Sequence, residues 1–247
     1  MPKKGSPTKL QQSRLKSSNS HCNHSSAMDT QIALSLNMQA VLSHNENDYN
    51  TAIKRYRGAM EQLNKSIYTK NRVEHDWVYP QVRLVVQPSC PAFLTEMTQT
   101  GEVIVSSPFC VTTSAPDHTL FQISDEDSHL LCLALMFNLA LSYHLRAVSD
   151  IKHRSLYLRR AMSLYKTAMK IVVDNEGFFR EVSGSFLVVA VGNNLCAILA
   201  EFHEYEKLRK IMEFTTYYWQ LSEGSARFFP LNTMSWNLAH AQPAPCA

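Results

Sequence analysis

One stretch of the chain, residues 125–148, predicts a helix that is apolar on nearly every face. A helix that is hydrophobic all round has to be buried all round or lie in a membrane. Two more helix-sized stretches follow at residues 157–173 and 186–202, and both can cover part of its surface. We therefore expect a mostly helical protein built around this central helix.

Neither of the two most apolar stretches is expected to span a membrane, because a span needs about 18 or more apolar residues in a row. Residues 130–145 form a shorter run that contains Asn138, and a Gly-Asn-Asn sequence interrupts residues 186–199. The polar N-terminus lacks the apolar region of a secretory signal. We expect a cytoplasmic protein, with a nuclear location left open, whose six scattered cysteines are free thiols.

Charge and motifs argue against several classes of function. The net charge is +3, and much of the basic charge lies in the first sixteen residues, so the rest lacks the basic folded face that binds nucleic acid. No phosphate-binding glycine loop, dinucleotide fingerprint, zinc-protease motif or nucleophile elbow occurs. The acidic residues 125–127 are interpreted as a solvated helix N-terminus. We therefore expect no catalysis, no cofactor and no metal.

The local patterns divide the chain into five parts. They are a disordered polar and basic tail (1–28), a first helical hairpin (29–68), a proline-rich insertion (69–124), two further hairpins (125–221) and a C-terminal capping segment with a frayed tail (222–247). The tail has no periodic apolar residues, so burial cannot offset the entropy of ordering it. Asp29 or Thr30 is the predicted N-cap of the first helix and Asp48 that of the second. Gly177 is predicted to end the helix that follows the central one.

The insertion differs from the rest of the chain because its five prolines exclude long helices. Residues 82–86 and 102–105 are typical of short strands, and residues 118–123 are a third candidate. Two interpretations stay open for this part of the chain. It forms a small β-ribbon packed on the helices, or it is a disordered insertion.

The three predicted hairpins share a spacing of small and aromatic residues. The first hairpin has Ala40, Tyr49, Ala52, Tyr56 and Ala59. The third has Cys196, Tyr205, Leu208, Met212 and Thr215 at the same offsets. The second has Ala140 and Tyr143, then Ala161, Tyr165 and Ala168. Small residues let two helices approach closely where they cross, and the aromatic residues fill the space between adjacent hairpins.

This spacing resembles the tetratricopeptide repeat (TPR), a helix-turn-helix unit of about 34 residues that stacks into a solenoid. The resemblance covers residues 29–66 and 125–221 and implies an all-α solenoid of about three repeats with a proline-rich insertion. The second hairpin departs from the pattern, because its small residues Ala140 and Ala161 are nine residues further apart than Ala40 and Ala52. The third departs at Leu208, where the family has a small residue.

The resemblance also implies a binding site, because the first helix of each TPR unit lines a concave groove that binds peptides. Asn138 and Asn194 each stand two residues before the small residue, where family members often hydrogen-bond the backbone of a ligand. The expected peptide-binding residues are Asn138, Asn194, Phe137, Leu141, His144 and Asn193. A buried amide without a partner costs about 1–3 kcal/mol, so the other interpretation is that both asparagines are paired within the protein.

Two functions follow as expectations. The first is a non-catalytic scaffold for protein–protein interaction that holds a peptide or a partner helix in the groove. The second is a structural subunit of an obligate complex with no free groove. Neither involves nucleic acid or a membrane span.

Overall fold

A computed structural model describes residues 9–70, 80–89, 95–97, 103–114, 119–179 and 182–221. These residues are mostly helical, which confirms the predicted all-α class. The helices are α1 (Lys9–Asn45), α2 (Tyr49–Lys70), α3 (Asp125–Ser149), α4 (Arg154–Asp174), α5 (Glu176–Phe179), α6 (Val182–Glu201) and α7 (Tyr205–Leu221), with a 3-10 turn at Ile151–His153. The predicted C-terminal capping segment and tail, residues 222–247, lie outside the described residues.

The long helices pack as three hairpins in chain order. Helix α1 packs on α2, α3 on α4 and α6 on α7, and neighbouring hairpins meet through the pairs α2–α3 and α4–α6. Short connections make consecutive helices neighbours that run in opposite directions. The first helices of the second and third hairpins, α3 and α6, also contact each other.

Helix α1 begins at Lys9, within the predicted tail of residues 1–28 and ahead of the predicted start of the first hairpin, so neither Asp29 nor Thr30 is its N-cap. No proline or glycine interrupts residues 9–45, and Ser26 and Thr30 are buried against α2. The Thr30 hydroxyl lies 2.7 Å from the Ser66 hydroxyl and also donates to the backbone carbonyl of Ser26. Contact with α2 therefore continues the helix past the predicted cap.

The predicted cap of α2 is observed. The Asp48 carboxylate accepts a hydrogen bond from the Thr51 backbone N–H at 3.1 Å, which satisfies one of the free N–H groups at the start of the helix. Asn47, in the turn before it, has a φ of 62°. Asparagine tolerates this left-handed conformation better than most residues. The sequence at this turn therefore matches the backbone that it has to form.

Helix α3 begins where it was predicted to begin. The Ser124 hydroxyl accepts from the Asp127 N–H at 3.0 Å and donates to the Asp127 carboxylate, also at 3.0 Å. The helix contacts α2, α4, α6 and both strands of one sheet. Its apolar side chains are therefore buried on all sides, as a helix of this composition requires.

Helix α4 ends differently from the prediction. Its C-cap is Asn175, whose backbone N–H bonds the carbonyls of Ile171 and Val172 and whose side chain also donates to the Ile171 carbonyl at 2.9 Å. The predicted C′ residue, Gly177, lies inside the short helix α5. An asparagine side chain that satisfies the last carbonyls makes a glycine at this position unnecessary.

The described part of the insertion forms two small antiparallel sheets, so the β-ribbon interpretation is the observed one here. Strand β1 (Leu84–Pro88) pairs with β4 (Phe109–Thr113), and β2 (Thr95–Met97) pairs with β3 (Val103–Val105). The predicted strands at 82–86 and 102–105 overlap β1 and β3. The predicted strand at 118–123 is wrong, since Gln122 makes only an isolated parallel bridge to Gln81.

Two helices of the described chain, Asp125–Ser149 and Gly184–Glu201, are long and apolar enough to cross a membrane by length and composition. In each of them, 83% of the apolar window is buried inside the protein. A core helix passes the same composition test and is buried in this way, so the two helices are weak evidence for a membrane span.

Candidate functional site

The strands β3 and β4 lie against the first helices of the hairpins. Strand β3 contacts α6, and β4 contacts α1 and α3. We call residues 104–109, which join β3 to β4, the internal segment. Its side chains are all buried, including the polar Ser106 and Ser107. The groove that the sequence predicted to hold a ligand therefore holds a part of the chain itself.

Asn138, on α3, binds the backbone of one residue at the end of the internal segment. Its Oδ1 accepts from the Phe109 N–H at 2.7 Å, and its Nδ2 donates to the Phe109 carbonyl at 2.8 Å. The same Nδ2 donates to Asn37 Oδ1 on α1 at 3.1 Å. The amide is fully buried, so these bonds replace water completely.

Asn194, on α6, binds the other end of the internal segment in the same way. Its Oδ1 accepts from the Val105 N–H at 2.7 Å, and its Nδ2 donates to the Val105 carbonyl at 2.9 Å. The Nδ2 also lies 3.1 Å from the Tyr165 hydroxyl on α4. The neighbouring Asn193 donates to Asn194 Oδ1 at 3.3 Å, so both predicted asparagines of α6 belong to this cluster.

The two asparagines, which we call the amide clamps, act on the backbone alone. Each clamp satisfies both the N–H and the C=O of a single residue, as a neighbouring strand would do. A backbone bond of this kind recognises extended conformation without regard to the side chain. The two clamped residues, Val105 and Phe109, are four positions apart.

Side-chain contacts add a preference for an aromatic residue at one clamp. The Phe109 ring is 1% exposed and meets Phe137 of α3 edge-on at 5.0 Å and Phe186 of α6 at 5.9 Å. Such edge-to-face pairs contribute about 0.5–1.5 kcal/mol beyond the area that they bury. Phe137, which the sequence placed beside the groove, therefore contacts the internal segment.

The other predicted neighbours, Leu141 and His144, are core residues of α3. Leu141 is fully buried, and the His144 ring lies edge-on 6.3 Å from Tyr165. Burial and, to a smaller extent, the positive charge of Arg154 together lower the pKa of His144 to about 3. His144 is therefore neutral near pH 7, and its place in the structure is that of a core histidine.

A second buried histidine, His44 on α1, contacts α3 below the Asn138 clamp. Its Nδ1 lies 3.0 Å from the Ser142 hydroxyl, and this hydroxyl donates to the backbone carbonyl of Asn138 at 2.9 Å. Burial lowers the pKa of His44 to about 4. This histidine is neutral and helps to fix α1 against α3.

The sequence analysis did not single out Asn37 or His44, and it placed Tyr165 only in the space between hairpins, not beside a clamp. A signal for Asn37 existed, because it stands within the apolar residues of the first helix just as Asn138 does in the second hairpin. Nothing in the pattern of Val105 or Phe109 marks them as clamped, because the clamps bond only their backbone. Residue types alone therefore could not predict which backbone groups Asn138 and Asn194 bond.

An ion pair and a close helix contact fix the third hairpin. Arg154 of α4 donates to both carboxylate oxygens of Glu201 on α6, at 2.8 and 2.7 Å. Gly192 of α6 lies so close to Thr215 of α7 that a Cβ at residue 192 would overlap the threonine Oγ1. The ion pair holds α6, and with it Asn194, in position relative to the second hairpin, and the close contact at Gly192 joins α6 to α7.

Within the residues that the structure describes, no group of three or more His, Cys, Asp or Glu side chains could hold a metal ion. No protein-family model, curated protein or solved structure matches the chain. Its function has to be inferred from the geometry of the clamps.

Proposed function

We propose that the protein is a non-catalytic, TPR-like scaffold for protein–protein interaction whose groove binds an extended polypeptide through Asn138 and Asn194. One observation carries the proposal. Two amides on the first helices of successive hairpins each bond both backbone groups of one residue in an extended segment. Recognition of a peptide backbone needs this geometry.

The burial of the clamps also supports a binding site for a polypeptide rather than for a small polar molecule. The space at the Asn138 clamp is lined by apolar side chains, among them Phe137 and Phe186, which contact the Phe109 ring. A single aromatic ring fills the space at the Asn138 clamp. An occupant therefore needs backbone amides in the right places and apolar side chains between α3 and α6.

A second candidate is a structural subunit of an obligate complex with no free groove. Two observations favour it: both clamps are already paired within the chain, and α1 leaves Met38 and Leu42 more than half exposed. Obligate interfaces are more hydrophobic than transient ones. In this case the internal segment would be a permanent part of the core.

The experiment is affinity capture with the full chain, followed by competition with two synthetic peptides. The first peptide has the sequence of residues 102–114 with serine at position 110, and the second is the same peptide with proline at positions 105 and 109. Proline has no N–H, so the second peptide cannot donate to either clamp. We expect the first peptide, added at millimolar concentration, to release a captured partner and the second to leave it bound.

If both peptides leave the partner bound, the partner does not use the groove. Light scattering on the purified chain then tests the second candidate. A monodisperse monomer at micromolar concentration contradicts an obligate subunit, whereas a chain that is soluble only with its partner supports it.

A further inference from the structure

We infer that the internal segment is a tethered ligand of the amide clamps, and that the partner which displaces it copies its pattern. The partner carries an extended segment with a branched aliphatic residue at the Asn194 clamp and an aromatic residue four positions later at the Asn138 clamp. The inference rests on the proposed function and adds the ligand class and the way in which the site is controlled.

The backbone bonds allow an exchange of occupant. The clamps contact the main chain of Val105 and Phe109, and any extended segment with an N–H at both positions offers the same four bonds. The supporting bonds of the clamps, to Asn37 and Tyr165, do not involve the segment and stay in place when the occupant changes. The groove is therefore pre-organised for a substitute.

The side chains set the pattern of the substitute. Val105 is fully buried at one clamp, and the Phe109 ring is enclosed by Phe137 and Phe186 at the other. Ser106 and Ser107, between them, are 6% and 1% exposed. Because both positions are buried, a larger side chain there has to displace its packed neighbours. A ligand therefore needs small residues between the aliphatic and the aromatic one.

The strands that carry the internal segment can be released without unfolding the helices. Strand β3 pairs only with the three residues of β2, and β4 pairs with β1, among the described residues. A sheet of two strands is marginally stable by itself. A tethered segment has an effective concentration in the millimolar range, so a free peptide competes poorly until the segment is weakened.

The test measures binding of a labelled peptide with the sequence of residues 102–114, with serine at position 110, by fluorescence anisotropy. Three full chains are compared: wild type, Phe109→Ala, and Phe109→Ala combined with Asn138→Leu. The Phe109→Ala variant weakens the packing of the internal segment but keeps both amide clamps. We expect it to bind the peptide at least tenfold more tightly than wild type does, and we expect the double variant to lose this gain.

A proline-substituted peptide, changed at positions 105 and 109, should not bind any of the three chains. Circular dichroism shows whether each variant keeps its helices. A folded Phe109→Ala chain that binds the peptide no more tightly than wild type overturns the inference, as does equal binding of the proline peptide.

Hydrogen exchange on the wild-type chain provides a test that needs no variant. The backbone amides of Val105 and Phe109 should be protected at least a hundredfold less than that of Leu139 in α3, because the segment opens without global unfolding. Equal protection means that the segment is a permanent part of the core, which overturns the inference.

The two proposals can fail separately. If the chain captures a partner through the groove, but the segment does not open locally and Phe109→Ala does not tighten peptide binding, only the inference of a tethered ligand is contradicted. A chain that binds the labelled peptide as expected but captures no protein contradicts the scaffold function.

Discussion

In the first hairpin, helix α1 leaves Met38 and Leu42 more than half exposed, whereas α3 and α6, the first helices of the other two hairpins, bury most of their described side chains. The helices of the first hairpin pack through one face each. The helices α3 and α6 are enclosed by neighbours and by the strands of the insertion. The insertion thus completes the core of the last two hairpins.

Both regions bury polar groups but pair them differently. In the first hairpin the hydroxyls of Ser26, Thr30 and Ser66 bond one another between α1 and α2. In the other two hairpins, the Asn138 and Asn194 amides bond the backbone of the internal segment. Removing a hydroxyl leaves other hydroxyls to pair, whereas removing an amide removes both of its bonds to one buried backbone residue.

The largest expected effect tests this difference. Asn138→Leu removes both bonds from the amide to the buried Phe109 backbone, and each such loss costs about 1–3 kcal/mol, so we expect a loss of about 2–6 kcal/mol in the free energy of unfolding. Asn194→Leu has the same expected effect through Val105. The matched control is Asn64→Leu on the exposed face of α2.

Denaturant unfolding of the three variants measures the effect. We expect the control to change stability by less than about 0.5 kcal/mol, as surface substitutions usually do. A loss in Asn138→Leu no larger than that of the control contradicts the clamp, and it would remove the distinction between the two regions.

The sequence predicted more about the helices than about the site. The polar sequence at residues 124–127 is sufficient to mark the start of α3, because the cap is made by neighbours in the chain. The composition of α3 predicts burial for the same local reason. The apolar surroundings of Asn138 and Asn194 predicted that each needs a partner, but both a peptide ligand and a neighbouring helix were candidates.

Each asparagine does bond a neighbouring helix, Asn138 through Asn37 and Asn194 through Tyr165, but its main partner was not among the candidates. It is the backbone of a segment in the insertion, 29 positions from Asn138 and 89 from Asn194. Backbone groups are the same in every residue, so a side chain that bonds them leaves no mark on the sequence of the partner. Strand β4 was missed because it directly follows Pro108, in a stretch where prolines dominate the pattern.

A pH titration sharpens the comparison with one histidine in each region. Burial lowers the pKa of His44, in the first hairpin, to about 4 and that of His144, in the second, to about 3. Between pH 6.5 and these values the unfolded chain binds more protons than the folded chain. Stability is therefore complete above pH 6.5 and falls with acidification, by up to about 1.4 kcal/mol per pH unit for each histidine.

The measurement is denaturant unfolding at several values between pH 7 and 5, a window above the range in which most carboxylates titrate. We expect a total loss of about 2–4 kcal/mol for wild type over this range. His44→Gln and His144→Gln should each reduce the slope. A wild-type stability that stays constant from pH 6.5 to 5 shows that neither histidine is held neutral by the fold.

The smallest expected effects come from two helical glycines, one in each region. A Cβ at Gly192 would overlap the side chain of Thr215, which is fully buried and whose hydroxyl is held by the Ile211 carbonyl at 2.6 Å. We expect Gly192→Ala to lower the free energy of unfolding by about 1–3 kcal/mol through overpacking. A Cβ at Gly58 of α2 meets only the Leu36 Cδ1 at 3.4 Å, an ordinary contact.

Because alanine is favoured over glycine inside a helix, Gly58→Ala should instead raise stability by about 0.5–1 kcal/mol. Combining Gly192→Ala with Thr215→Ala should recover part of the loss, since the second change removes the atoms that overlap. Additive losses in that double variant would mean that α6 and α7 do not meet at this pair. If Gly192→Ala lowers the free energy of unfolding and Gly58→Ala raises it, then α6 and α7 leave no space for a Cβ at their contact, whereas α2 of the first hairpin does.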